Sequence, residues 1–401
     1  MKIGIIKEGK TPPDSRVPIT PAQAAIINQR DDVQIVVQPS PSRCYTDEEY
    51  QEAGIPLSND LSDCDVLMGV KEVPIKELVA NKKYFFFSHT FKEQPYNRGL
   101  LQAVVNKNIQ LIDYEVLKNE RGQRIIAFGR WAGIVGAHNG VMTYGNRTKA
   151  YELPQMKNFK DFATAKDFYK NLKLPAIKIV LTGMGRVSSG SVEVLEAMGI
   201  RRVSPSDFVI ESYSEAVFTQ LDCEDYAARK DGSAFDLQHF FKNPSMYQST
   251  FAPFTKAADL MVNGIYWDND APAFFTAEDM KSKDFSIKAI ADVTCDIAPI
   301  ASIPSTLFAA TIAKPVFGFD VNTGEATEPY QAHTVDMMTI DNLPNELPRD
   351  ASQNFGEQFM ASVLEELLTE NSNVIRGASM TKNGDLTEEF EYLRNYLNEG
   401  K

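Results

Sequence analysis

Two titratable side chains close neighbouring apolar runs: Lys71 in Met68-Gly-Val-Lys-Glu-Val-Pro74 and, eighteen residues on, His89 in Phe85-Phe-Phe-Ser-His-Thr-Phe-Lys92. Short runs this rich in Val, Leu and Phe read as buried strands, so both groups are expected at neighbouring strand ends facing one cleft. A lysine desolvated near another cation loses its proton near neutral pH, and histidine titrates there unaided, so the pair suits proton transfer. A surface lysine and a core-edge histidine would show the same spacing. The residues around them decide between the two readings.

A second chemical signal is Val180-Leu-Thr-Gly-Met-Gly-Arg-Val-Ser-Ser-Gly-Ser191. Gly183 and Gly185 directly follow an apolar strand, Arg186 and Val187 open the next helix, and Val192, Leu195 and Met198 mark its apolar face. Glycines here permit a tight turn and let backbone N–H groups reach a pyrophosphate at the helix N-terminus. Gly190 comes two positions later than the third glycine of the usual fingerprint, but the strand–turn–helix setting favours a dinucleotide site over a purely structural turn. After the following strand, Arg201-Arg-Val-Ser-Pro-Ser206 offers Ser204 where an acid would normally hold the ribose hydroxyls. Arg201 and Arg202 precede that point and could grip a 2′-phosphate, which leaves NAD or NADP open.

The elements that must position these residues alternate. Apolar runs at residues 3–6, 33–37, 66–70, 85–88 and 110–112 are separated by helical patterns at 21–28, 47–53 and 94–106. A second series of runs lies at 176–182, 259–263, 289–293 and 335–340. Such βα alternation predicts an α/β fold of two Rossmann-like domains with parallel sheets and a cleft between them. The Gly-rich passage from Ala127 into Val141–Tyr151 suits a closely packed helix crossing between domains. Phe355, Phe359, Val363 and Leu367 give a later helix one continuous face that could return the chain to the first domain. The expected layout is therefore discontinuous: residues 1–140 plus 345–401 form a substrate domain, and 141–344 an inserted dinucleotide-binding domain.

The 401 residues carry a formal net charge of −13, which leaves no basic surface to displace phosphate counterions, so nucleic acid is not expected as a partner. Met1-Lys-Ile-Gly-Ile-Ile-Lys-Glu8 is too short an apolar run for a leader or a membrane span. The four cysteines are widely spaced, with no pairing that suggests a metal site or a disulfide framework, so a reduced, cytoplasmic setting is expected. The partners expected are small-molecule amino-acid and 2-oxo-acid substrates, with a homo-oligomer left open.

The ordered motifs carry a resemblance over nearly the whole chain. Ser15-Arg-Val-Pro-Ile-Thr-Pro21, Gly69-Val-Lys-Glu-Val-Pro74, Phe87-Ser-His-Thr-Phe-Lys-Glu-Gln94, Leu111-Ile-Asp-Tyr-Glu115 and Ala127-Phe-Gly-Arg-Trp-Ala-Gly133 resemble the lysine-forming saccharopine dehydrogenases. So do Asn263-Gly-Ile-Tyr-Trp267, Ala291-Asp-Val-Thr-Cys-Asp296 and Ile340-Asp-Asn-Leu-Pro-Asn-Glu-Leu-Pro-Arg-Asp350. Alanine dehydrogenase and the transhydrogenase coenzyme domain are more distant members of the same superfamily. The resemblance implies that Lys71 and His89 are the acid/base pair and that Glu115 lies beside them and tunes their charge. It implies that Arg16 and Arg124 bind substrate carboxylates, with Lys92 on the same rim. It places Asn263, Asp296 and Asn342 near the coenzyme, Asp296 at its nicotinamide end, and implies no metal. After Asp296 the chain reads Ile297-Ala-Pro-Ile-Ala-Ser-Ile-Pro-Ser305, closer to the fungal type, which favours NAD. An alanine or opine dehydrogenase, or a relative that binds nucleotide without turnover, would share the same frame.

Overall fold

A computed structural model describes residues 1–399. They form two compact units: Met1–Phe128 with the chain from Pro348 onward, and Gly129–Leu347, inserted between those two stretches in sequence. The boundaries expected at 140/141 and 344/345 are corrected to 128/129 and 347/348. The physical reason is that Gly129–Thr148 is one unbroken helix, packed within the second unit rather than crossing between units. Among the described residues no helix is long and apolar enough to cross a membrane.

The first unit holds five parallel strands: β1 (Lys2–Ile5), β2 (Gln34–Val37), β3 (Val66–Met68), β4 (Lys83–Phe86) and β5 (Gln110–Asp113). Their order is β2-β1-β3-β4-β5, so the winding reverses between β1 and β3. In such sheets ligands sit at the carboxyl ends of the strands, at that reversal. The first two helices, Pro21–Ile27 and Asp47–Glu52, each begin on a threonine in a reciprocal capping box, Thr20 with Gln23 and Thr46 with Glu49. Successive side chains of a strand point to opposite faces. Tyr84 and Phe86 join Leu100, Leu101, Val104, Leu393 and Leu397 in one core layer. Phe85 and Phe87 meet an aromatic group with Tyr114, Phe128, Phe355 and Phe359, in which the Phe128 and Phe355 rings stack at 4.4 Å. The late helix runs over Pro348–Ser362 and breaks at Val363, and a separate turn of helix, Leu364–Leu368, follows.

The second unit contains β6 (Lys178–Thr182), β7 (Arg201–Arg202), β8 (Val217–Leu221), a hairpin of β9 (Ala227–Arg229) and β10 (Tyr247–Ser249), then β11 (Leu260–Asn263), β12 (Ala289–Asp292), β13 (Val316–Asp320), β14 (Ala326–Thr327) and β15 (Thr334–Met338). The main sheet has the order β14-β13-β15-β12-β11-β6-β8-β7. It is parallel from β7 to β15 and antiparallel only at β13 and β14. The helix Gly129–Thr148 lies against Arg186–Ala197 at very short range. A Cβ on Gly133 would stand 1.7 Å from the Val187 carbonyl oxygen, and one on Gly190 would stand 2.0 Å from that of Arg130. The late third glycine of the fingerprint therefore serves helix–helix contact.

Candidate active site

Of the residues expected to do chemistry in the first unit, Lys71 follows β3, His89 follows β4 and Glu115 follows β5, and two further carboxylates stand at the same edge, Glu8 after β1 and Glu72 after β3. The strand ends are tied together by Asp113. Its carboxylate accepts from Ser88 N at 2.7 Å, Ser88 Oγ at 2.6 Å and Glu115 N at 2.7 Å. Burial pushes its pKa up, and these donors offset only part of that rise. The same bonds fix the chain at His89, which adopts the left-handed conformation at φ 55°. That conformation is costly for a residue with a side chain, and such positions gather at functional sites.

His89 Nδ1 stands 2.6 Å from Glu72 Oε1, and Lys10 Nζ lies 3.1 Å from Glu72 Oε2. Burial alone would raise the Glu72 pKa, but the hydrogen bond from His89, the charge on His89 and the charge on Lys10 bring it down from 4.5 to about 2. With Nδ1–H given to Glu72, the outer Nε2 is the proton acceptor. The carboxylate beside the histidine is thus Glu72, which corrects the expectation for Glu115. Glu115 instead pairs with Lys92 at 3.2 Å and Arg124 at 3.7 Å. The reason is geometric: β5 presents Glu115 beside the Lys92 turn, whereas Glu72 leaves β3 next to the His89 turn.

Lys71 has no hydrogen-bond or ion-pair partner for its ammonium among the described residues. Its pKa is lowered by burial first and then by the charge of Arg16, with Asp14 opposing. Arg16 itself is only 3% exposed, and its Nε and Nη2 take the two oxygens of Asp14 at 3.0 and 2.6 Å. Its guanidinium also lies 4.2 Å over the Phe128 ring. Arg16 is therefore not the open fork expected for a substrate carboxylate. Asp14 occupies that fork, and the arginine acts as a fixed positive charge near Lys71. Arg124 and Lys92 retain 33% and 42% side-chain exposure and stand on either side of Glu115. Glu8 was not anticipated. Its carboxylate turns inward to accept from the N–H of Val70 at 2.6 Å and of Lys71 at 2.9 Å, and burial, with Asp14 next, pushes its pKa up to about 8.

In the second unit the expected coenzyme residues line the carboxyl edge of the sheet. Gly183 turns the chain after β6 at φ 96°, where a Cβ would lie 2.8 Å from Ser188 Oγ. Gly185 caps the helix that Arg186 and Val187 begin, and a Cβ there would meet no atom within 4 Å. That is the open space a pyrophosphate needs. Asp296 follows β12 and Asn342 follows the neighbouring β15. Beside them Cys295, at φ 56°, sets its Sγ 3.2 Å from the Thr339 carbonyl oxygen. Asn263 is fully buried: its Nδ2 donates to Asp292 and Ser302 and its Oδ1 accepts from Thr182. It ties β6, β11 and β12 together, so its side chain cannot also serve the coenzyme.

Ser204 is also corrected. It caps the short helix Pro205–Ile210 at the end of the edge strand β7, and β8 lies between β7 and β6. The strand next to β6 is β8, and the residue at its carboxyl end is Asp222. Asp222 lines a cavity of about 610 Å³ with Gly183, Gly185, Tyr226, Phe240 and Ile265. Sequence order suggested β7 as the neighbour, and only the hydrogen-bonded order of the strands reveals β8. Arg201 pairs with Glu215 on that outer edge. Among the described residues no group of His, Cys, Asp and Glu is arranged to hold a metal ion.

Fold and site together define a two-unit α/β chain with a dinucleotide-type second unit. Residues 4–135 match the alanine dehydrogenase/PNT N-terminal domain family. Beyond that domain the chain is similar to the lysine-forming saccharopine dehydrogenases that its motifs resemble. It is 25% identical to the Yarrowia lipolytica saccharopine dehydrogenase [NAD(+), L-lysine-forming], covering 83% of this chain and 84% of that one. It is 29% identical to the mitochondrial alpha-aminoadipic semialdehyde synthase of Mus musculus over 95% of its own length but 46% of the mouse protein, so the chain spans about half of that relative. A solved L-alanine dehydrogenase superposes with a TM-score of 0.65 over 99% of this chain and 100% of that one at 15% identity, which supports the fold.

Proposed function

We propose that the chain is a nicotinamide-dependent oxidoreductase acting on the CH–NH bond of an amino acid, of the saccharopine dehydrogenase (L-lysine-forming) type. It would interconvert saccharopine with lysine and 2-oxoglutarate. The observation that carries this reading is the pairing, at one sheet edge, of a lysine with a lowered pKa and no ion-pair partner with a histidine held by a carboxylate.

The second unit fits a nicotinamide dinucleotide. The glycine turn ends in open space at Gly185, and the adjoining cavity falls in the size range of small-molecule sites. Asp222 at the end of β8 suits ribose hydroxyls and opposes a 2′-phosphate, which supports NAD over NADP. When bound, the coenzyme supplies the hydride acceptor or donor. The chain's own residues handle binding and protons. Lys71 Nζ takes the proton of the secondary amine as the imine forms. His89 Nε2 then takes a proton from the water that adds to the imine carbon, with Glu72 holding Nδ1. As the water adds, Lys71 returns its proton to the imine nitrogen; when the carbinolamine collapses, His89 gives its proton to that nitrogen and Lys71 takes the one from the hydroxyl, leaving carbonyl and primary amine. Arg124 and Lys92 hold substrate carboxylates, the arginine through its planar fork.

The test is oxidation of NADH and NADPH with 2-oxoglutarate, comparing lysine with alanine, ornithine and ammonia. Turnover with lysine and NADH supports the proposal. Turnover with ammonia alone would move the assignment to another amino-acid dehydrogenase, and none with any amine would favour a binding protein without turnover.

A further inference from the structure

We propose that Glu8 is the positioning residue for Lys71: its carboxylate bridges the end of β1 to the turn after β3 and sets where the Lys71 ammonium stands. This rests on the reading of Lys71 as a proton carrier. β1 and β3 are neighbours in the sheet, but β2 intervenes in sequence, so no short connection joins their carboxyl ends. The backbone ladder between them reaches its last bond at Ile6 N to Met68 O, 2.9 Å. Beyond that point the Glu8 side chain takes over as the acceptor, one oxygen for Val70 N and the other for Lys71 N. On the opposite side the same turn is held to β4 by Gly69 N to Phe85 O and Phe87 N to Val70 O. The stretch carrying Lys71 is thus clamped from both neighbouring strands, and on the β1 side by one side chain.

The residue type follows from this geometry. Once ionised, above its raised pKa of about 8, Glu8 offers two acceptors, whereas an amide of the same length offers one acceptor and sets an N–H against a backbone N–H. Aspartate keeps the charge but falls a methylene short. Close approach is permitted by Gly69, where a Cβ would lie 3.3 Å from Glu8 Oε1. The charged and titratable side chains that act on Glu8 or feel its charge are Asp14 and Arg16 from the loop after β1 and Tyr114 after β5, while Lys71 meets it through its backbone N–H. Tyr114 feels the Glu8 charge, and its buried hydroxyl has no hydrogen-bond partner.

The experiment reads Lys71 directly. The full chain is prepared with ¹³C at the lysine ε carbon, and the Lys71 resonance is assigned by its absence in Lys71→Met. It is then titrated in wild type, Glu8→Gln and Glu8→Asp, each checked for folding by circular dichroism. Loss of the clamp frees the ammonium toward water, so both variants are expected to raise the Lys71 midpoint by about half a pH unit or more. If Glu8 acted only through its charge, Glu8→Gln would lower the midpoint and Glu8→Asp would leave it in place. That pattern, or no change in either, overturns the proposal. If one variant fails to fold, the direction in the other decides. Because the measurement needs no turnover, a rise in a chain that oxidises neither coenzyme would sustain the clamp while removing the assigned function.

Discussion

Replacing Glu72 with glutamine keeps the shape of the side chain and removes its charge, and the consequence should depend on pH in a defined way. The folded chain lowers the Glu72 pKa from 4.5 to about 2. At about 1.4 kcal/mol per pH unit, that shift corresponds to ~3 kcal/mol of stability. Lys10 is 39% exposed, so solvent screening leaves its share at roughly 0.5 kcal/mol or less. Most of the rest comes from the 2.6 Å contact with His89. Because the folded pKa lies below the unfolded one, the stabilisation is present above pH 4.5 and lost as pH falls toward 2. Glu72→Gln should therefore cost ~2–3 kcal/mol at pH 7, with roughly 2 kcal/mol of that gap gone by pH 3. Both tryptophans, Trp131 and Trp267, lie in the second unit, so their fluorescence is a poor probe of this site. Urea-dependent hydrogen exchange of peptides spanning residues 66–92, measured at pH 7, 5, 4 and 3, reads it instead. A gap between variant and wild type as wide at pH 3 as at pH 7 would refute the reasoning.

Gly185→Val should abolish dinucleotide affinity and leave the fold intact, since its side chain would enter space where no protein atom lies within 4 Å; retained binding in calorimetry would move the nucleotide site elsewhere. Gly133→Ala should destabilise the second unit by ~3 kcal/mol or more, because its Cβ would land 1.7 Å from the Val187 carbonyl oxygen; an unchanged melting temperature contradicts the close helix contact. Arg124→Lys keeps the charge and loses the fork, so KM for the dicarboxylate should rise about tenfold; an unaltered KM excludes Arg124 from the substrate site. Lys71→Met and His89→Gln should each lower kcat about a hundredfold with coenzyme affinity kept, and the double variant should lose less than the product of the two. Near-normal rates in both single variants would make the pair structural.

Much of this protein was legible in its sequence, because burial leaves a local trace. The strands of the first unit and the parallel core of the second declare themselves as apolar runs, since a strand covered on both faces has no polar alternation. Gly183 and Gly185 could be read beside β6 because both the turn and its helix are contiguous in the chain. Lys71 and His89 could be singled out because each ends such a run. Other residues were assigned wrongly or missed for one shared reason. Asp222, not Ser204, ends the strand beside β6, because strand order in a sheet follows hydrogen bonding and not sequence order. Glu72 displaces Glu115 beside His89, Asp14 occupies the Arg16 fork, and Asn263 is spent in a buried network. Residue types and spacing determined which chemistry the chain carries. Only the tertiary structure decided which charge faces which, because Coulomb and hydrogen-bond energies depend on distances of a few ångströms between strands far apart in the chain.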